Sequence, residues 1–424
     1  MSEHRLTELE SGLRVVTESV PGVRSVALGF WIGTGSCAET DEQAGLSHLL
    51  EHLLFRGSAR FSSTQIDEIF DAMGAELNAG TGKETTSVHS RVLDHHLPRA
   101  FDVLRDMVWR PAFEDVDTER RVILQEIAMY EDDPQDKVFD VLGEAVFGSH
   151  PLGRAIIGRG EVIAGTPLEV IERFHAVRYV PGNVVVAAAG SLDHEDVVAM
   201  AADRLPDRGG DPGAPPDPPT ELSSRVRFER KDTEQYHVCL GGPAIARDDD
   251  RRFALRVLDN VLGGTTSSRL FQEVRERRGL AYSIYSFSHL YAGIGQVGIY
   301  LGTEPGSLSA ALRVVGDELA RLCEHPATTD ELERSKENVK GRLVLSLEST
   351  SARMNRLGSH VLTGVPLLTV DQLIERVEAV TLADLEALAT ELFVPDRLSA
   401  ACIGPEEEAF RDALEPVSPA LAAA

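Results

Sequence analysis

His48, Glu51 and His52 fall within the stretch GLSHLLEHLLFRGS, Gly45 to Ser58. Histidines four residues apart lie on one face of a helix, and two imidazoles so placed can grip one zinc ion. Glu51, one residue before the second histidine, is angled beside the pair. It is badly placed to ligate the same ion but can reach a water held there. Zinc lowers the pKa of such a water towards ~7, and a carboxylate base then makes hydroxide available. Leu46, Leu49, Leu50, Leu53 and Leu54 surround the trio, so the helix is expected to be largely buried. Buried imidazoles and carboxylates need partners or a metal.

A zinc ion used in catalysis takes a third protein ligand and keeps one position open. The stretch DVDTERRVILQEIAMYEDDP, residues 115–134, offers Glu119 and Glu126, seven residues apart and so two turns along one helical face. Val122, Ile123 and Ile127 supply packing. Ile123 and Ile127 flank Glu126, but the residues alone do not rank it above Glu119 as the third ligand. His, His and Glu suit zinc, and cobalt or manganese could substitute. His89, His95 and His96 are given no metal role.

These groups must be positioned by a scaffold. LRVVTESV and VALGFWIGTG read as paired strands, and residues 43–56 as a helix. Thr64 with Asp67 reads as the cap of another helix, closed by Gly74. AELNAGT and TTSVHSRVL alternate like a hairpin. Helices follow near 95–108 and 115–132, the latter stopping before Pro134. The stretch 206–222, PDRGGDPGAPPDPPTEL, holds neither a helix nor a central strand. It divides the chain into an N-terminal domain over 1–205 and a C-terminal domain over 223–424. The halves resemble each other. RYVPGNVVVAAAG (178–190) matches LFVPDRLSAACIG (392–404), and GLSHLLEHLLFRG matches FALRVLDNVLGGT (253–265), with His48 meeting Arg256, Glu51 meeting Asp259 and His52 meeting Asn260. The expectation is an α+β fold: two homologous α/β-layered domains from an internal duplication, with mixed sheets and helices packed on one face. Only the first copy keeps the polar trio.

Acidic residues number 68 against 42 basic, a net charge of −26, which disfavours nucleic acid and anionic membrane as partners. The four cysteines, Cys37, Cys239, Cys323 and Cys402, are scattered and suggest neither disulfides nor a cysteine metal site. No signal peptide or membrane span is expected, and a cytoplasmic location is the default.

The order H-x-x-E-H is the inverzincin signature. Together with GAELNAGTGKETT, ERRVILQEI, LGRAIIG and LFQEVRERRGLAYSIYS, it makes the chain resemble the pitrilysin/insulinase zinc peptidases. The likeness is to their short form, which includes the mitochondrial processing peptidase β-subunit and bacterial homodimeric peptidases. The resemblance implies Glu126, 74 residues beyond His52, as the third ligand, and Glu119 as its support. It implies one zinc ion per chain. It matches Arg275 and Tyr282 to a pair that holds the substrate backbone and donates to the oxyanion, reaching the partner's zinc site in a dimer. It places Asn78 and Ala79 on an edge strand that binds the substrate backbone by strand addition. The implied function is an endopeptidase acting on peptides or small unfolded proteins inside a homodimeric chamber. The alternatives are a non-catalytic peptide-binding or structural subunit and a partner-dependent processing subunit.

Overall fold

The computed structural model describes residues 4–423 apart from 215, 221 and 223. The chain forms two compact units, each built on one mixed sheet. The first gathers the chain up to Ala128 with Ala155–Pro216 and Leu345–Leu367; the second gathers Met129–Arg154, Asp217–Val344 and the chain from Leu368. These units do not coincide with the stretches 1–205 and 223–424, because each takes a piece of the other half of the sequence. The described residues of 206–222 form no helix or strand. Among the described residues no helix is long and apolar enough to cross a membrane.

The first sheet contains β1 (His4–Glu8), β2 (Arg14–Ser19), β3 (Ser25–Ile32), β4 (Glu76–Thr81), β5 (Thr86–Leu93) and β6 (Val184–Gly190), in the order β1-β2-β6-β3-β5-β4. The pairing of β2 with β3 expected from sequence does not form. Instead β6 enters between them, parallel to β2 and antiparallel to β3. Every residue of β6 is buried; a strand apolar on both faces belongs at the centre of a sheet. Its alternate residues serve two cores. Val184, Val186 and Ala188 join Val15, Leu28 and Phe30 under the helical layer. Val185, Ala187 and Ala189 join Val16 and Ala27 on the opposite face, where Met354 and Leu357 of the helix Thr350–Thr363 close over them. That helix sits very near the sheet: a Cβ on Gly358 would lie 2.2 Å from the Trp31 indole. Arg353 on it pairs with buried Glu18 of β2.

The helical layer includes α1 (Leu46–Leu54), α2 (Ser63–Ala72), α3 (Leu97–Trp109) and α4 (Val116–Asp132). The cap of α2 lies two residues before the expected one. Ser62 accepts from the Gln65 N–H while the Gln65 carboxamide accepts from the Ser62 N–H, a reciprocal box that Thr64 and Asp67 do not form.

The second sheet has β7 (Val226–Arg230), β8 (Tyr236–Ala244), β9 (Ser283–Leu290), β10 (Gly295–Thr303) and β11 (Ser399–Gly404) in the order β7-β11-β8-β10-β9. This repeats β2-β6-β3-β5-β4 strand for strand. The one parallel pair, β7 with β11, corresponds to β2 with β6. The duplicated α+β architecture is therefore present in the chain. Each sheet carries helices on one face, as expected, and in addition a helix on the other face drawn from the opposite half of the sequence. For the second sheet this is α5 (Pro134–Phe147), whose Phe139 ring stacks 5.6 Å from Tyr300 and meets Phe287 edge-on at 5.1 Å.

Candidate metal centre

The helix α1 begins at Gly45, whose φ of 101° puts it in the left-handed region. A side chain there would also strike the carbonyl oxygen of Ile157 at 2.9 Å, so glycine is required twice over. The first turn is capped by a carboxylate from outside the helix. Glu39, buried, accepts from the backbone N–H groups of Gly45 at 2.8 Å and Ser47 at 2.7 Å. A negative group at this end satisfies orphan donors and matches the helix dipole. The leucines of α1 enter the core, while His48, Glu51 and His52 stand together at its margin.

His48 and His52 pack edge-on with ring centroids 4.8 Å apart. Across from them, α4 presents both glutamates of the expected pair. The Glu126 carboxylate spans the two rings, with Oε1 3.7 Å from His48 Nε2 and Oε2 3.6 Å from His52 Nε2. Both separations are too long for hydrogen bonds. They suit a shared cation: ligands bound tetrahedrally at ~2.0–2.1 Å lie about 3.4 Å from one another. Among the described residues His48, His52 and Glu126 are the grouping able to hold a metal, their ligand atoms all within 4.8 Å of one another.

Two further features fit an ion here. The His52 Nδ1–H lies 3.2 Å from Glu119 Oε2, so its proton sits on that nitrogen and the Nε2 lone pair faces Glu126. Glu119 is 2 % exposed and is held in turn by Arg56, at the end of α1. Burial, and next the neighbouring His52, keep the His48 imidazole below its usual pKa, which favours the neutral form a metal requires. The Glu126 side chain is nearly half exposed, leaving one side open to solvent.

Glu51 stands beside the ligand pair, near enough for its charge to act on His48. Its Oε2 accepts the Thr81 hydroxyl at 2.5 Å, and its other oxygen takes no hydrogen bond among the described residues. Burial, and secondarily the Glu51 charge, push the Tyr179 phenol well up. Asn78 and Ala79 lie on β4, the outermost strand of the sheet, paired on one side only to β5. The Asn78 side chain accepts from the Ala79 N–H at 2.8 Å. Arg275 and Tyr282 belong to the second unit and form a pair there. The guanidinium stacks 4.6 Å from the Tyr282 ring and donates to the Tyr282 carbonyl at 2.9 Å. Arg275 lies in a π-helical turn, Phe271–Glu276, and Tyr282 is 77 % exposed.

The corresponding helix of the second unit, Arg252–Leu262, holds no such centre. Asp259 accepts from Ser286 at 2.5 Å, and Asn260 donates to Asn338 at 2.9 Å. Sequence reasoning missed Glu39, Arg56, Thr81 and Tyr179. One sequence clue was present: in the aligned repeats Tyr179 stands where the second copy has Phe393.

Comparison with known proteins converges on one family. Residues 14–160 match the family described as Insulinase (Peptidase family M16), and residues 167–339 match Peptidase M16 inactive domain. An uncharacterized zinc protease of Streptomyces coelicolor is 43 % identical, over 95 % of this chain and 89 % of the relative. One from Bacillus subtilis is 41 % identical, over 91 % of this chain and 95 % of the relative. The crystal structure of a protease from Helicobacter pylori superposes with a TM-score of 0.90 at 21 % identity, covering 95 % of this chain and all of that one. The structure of a peptidase M16 inactive domain from Pseudomonas fluorescens gives 0.87 at 23 % identity, with 95 % and 98 % covered. At these identities the two structures establish the fold.

Proposed function

The chain belongs to the insulinase family, peptidase family M16, and on that premise we propose that it is a zinc-dependent endopeptidase cutting extended peptides and small unfolded proteins. The observation that carries this reading is the meeting of His48, His52 and Glu126 around one point, with Glu119 fixing the His52 tautomer. His48, His52 and Glu126 would hold the ion. When bound, zinc supplies Lewis acidity, acidifying water towards a pKa of ~7 and polarising a carbonyl. Glu51 takes the proton of the attacking water and delivers it to the leaving amine. The free edge of β4, at Asn78 and Ala79, takes the substrate backbone as an added strand, which favours extended over folded substrates. Tyr282 donates its hydroxyl to the developing oxyanion while Arg275 holds the ring in place. In this reading the pair comes from a second copy, so the working form is a homodimer with an enclosed chamber.

The description of residues 167–339 as an inactive domain agrees with Arg256 and Asn260 standing in the second copy where the first has His48 and His52, and leaves the first unit's set intact. A purely peptide-binding subunit has no need of that set. The test is hydrolysis of a quenched peptide by the isolated chain, with and without chelator. Glu51→Gln is expected to keep zinc and lose at least about a thousandfold in kcat, while His48→Ala loses both. Mixing Glu51→Gln with Tyr282→Phe is expected to regenerate activity through mixed dimers. Full activity in Glu51→Gln refutes the peptidase mechanism; no recovery on mixing, with subunit exchange demonstrated, refutes sharing between copies.

A further inference from the structure

Thr81 ends β4. Along that strand Leu77 and Ala79 pack against the apolar core beneath the helices, and the strand period of two turns Thr81 towards the same side. There its hydroxyl meets Glu51 Oε2 at 2.5 Å. The alternative acceptors are much poorer, the Ser47 carbonyl at 3.5 Å and the Thr86 hydroxyl at 3.4 Å. Thr86 gives its own proton to the Thr34 carbonyl at 2.8 Å. The Thr81 proton therefore goes to Glu51, as a short charge-assisted bond. The second unit repeats the device without a metal centre: Asp259, aligned with Glu51, accepts from Ser286 on β9, the edge strand corresponding to β4.

We propose that Thr81 is a positioning residue for the Glu51 carboxylate, pinning one oxygen so that the other is presented to the attacking water. The inference rests on Glu51 being the base. It adds that the base is registered to β4, the same strand whose edge at Asn78 and Ala79 would take the substrate backbone. One strand then sets both the peptide carbonyl and the group that activates water against it. Two independently moving elements would leave that distance loose, and an error of about 1 Å in such an alignment is worth roughly a hundredfold in rate.

Thr81→Val keeps the shape and strand propensity and removes only the hydroxyl; Thr81→Ser keeps the hydroxyl; Thr81→Ala is a second deletion of it. The expected result is that both deletions retain wild-type zinc content and melting temperature, hold KM near wild type and lose about ten- to hundredfold in kcat. Thr81→Ser is expected to stay within about threefold of wild type. Inhibitor binding gives a readout apart from turnover. A peptide hydroxamate, whose hydroxyl bonds to the base carboxylate, is expected to weaken about tenfold in Thr81→Val, while the matching peptide thiol, which makes no such bond, binds unchanged. Unchanged kcat in Thr81→Val overturns the proposal, as does an equal loss of both inhibitors or of zinc, which would mark a merely structural role. Activity surviving in Glu51→Gln would instead remove the parent reading, whatever Thr81 does.

Discussion

Replacing Glu119 by Gln alters one atom of the centre without touching a metal ligand. The side chain is 2 % exposed, with Oε2 on the His52 Nδ1–H at 3.2 Å and Oε1 on Arg56. A carboxylate accepts at both ends; a carboxamide accepts at one and donates at the other. If the Gln oxygen turns to Arg56, its NH2 group meets His52 Nδ1 and drives the ring proton to Nε2, the atom facing Glu126. If it turns to His52, the NH2 group meets the guanidinium. Either way a buried partner is lost, and supporting carboxylates of this kind carry about ten- to a hundredfold in metal affinity, or roughly 1.4–2.7 kcal/mol. Competition for zinc against a chromophoric chelator reads this directly, with the melting temperature in chelator as the folding control. Adding Arg56→Met removes the clash in the second orientation and is expected to recover at least about threefold of the lost affinity, a coupling that an indirect effect would not give. A zinc Kd for Glu119→Gln within twofold of wild type would refute the tautomer argument.

Two other outcomes follow from the packing. Gly358→Ala would bring a Cβ to 2.2 Å from the Trp31 indole, and is expected to cost about 1–3 kcal/mol; a thermal melt unchanged from wild type would show that the helix Thr350–Thr363 is not seated as described. Buried His175, whose Nε2–H donates to the Val108 carbonyl at 2.9 Å, has its pKa pushed down from 6.5 to about 4 by burial. Because the folded value is the lower, its contribution is fully present above pH 6.5 and is lost as pH falls towards 4, by at most about 3 kcal/mol. Urea unfolding of metal-free protein at pH 7.5 and 4.5 should show a smaller acid loss in His175→Gln than in wild type; equal losses would place the acid sensitivity elsewhere.

What was legible in the sequence was local. His48 and His52 declare themselves by helical spacing, and the leucines between them declare the buried side of α1. Glu119 and Glu126 were readable as one face of α4, although the choice between them needed the family pattern until the geometry put Glu126 across both rings. Central β6 was not legible between β2 and β3, because it follows them by some 150 residues and nothing short-range selects its place. Thr81, Glu39 and Arg56 escaped for the opposite reason. A threonine on a strand, a glutamate in a loop and an arginine after a helix are ordinary in sequence, and only the fold gives each a charged or hydrogen-bonding partner at the centre.

The exchange of Thr350–Thr363 and Pro134–Phe147 between the two sheets bears on how the molecule is made. While the ribosome is still translating, the first sheet can be fully hydrogen-bonded once β6 has emerged, yet Val16, Ala27, Trp31, Val185 and Ala187 stay bare until residues 350–363 follow. A nascent chain must therefore carry an uncovered apolar surface from the completion of β6 at Gly190 until the helix ending at Thr363 has been made. Severing the Pro-rich stretch afterwards would leave fragments that each still hold a helix belonging to the other's sheet.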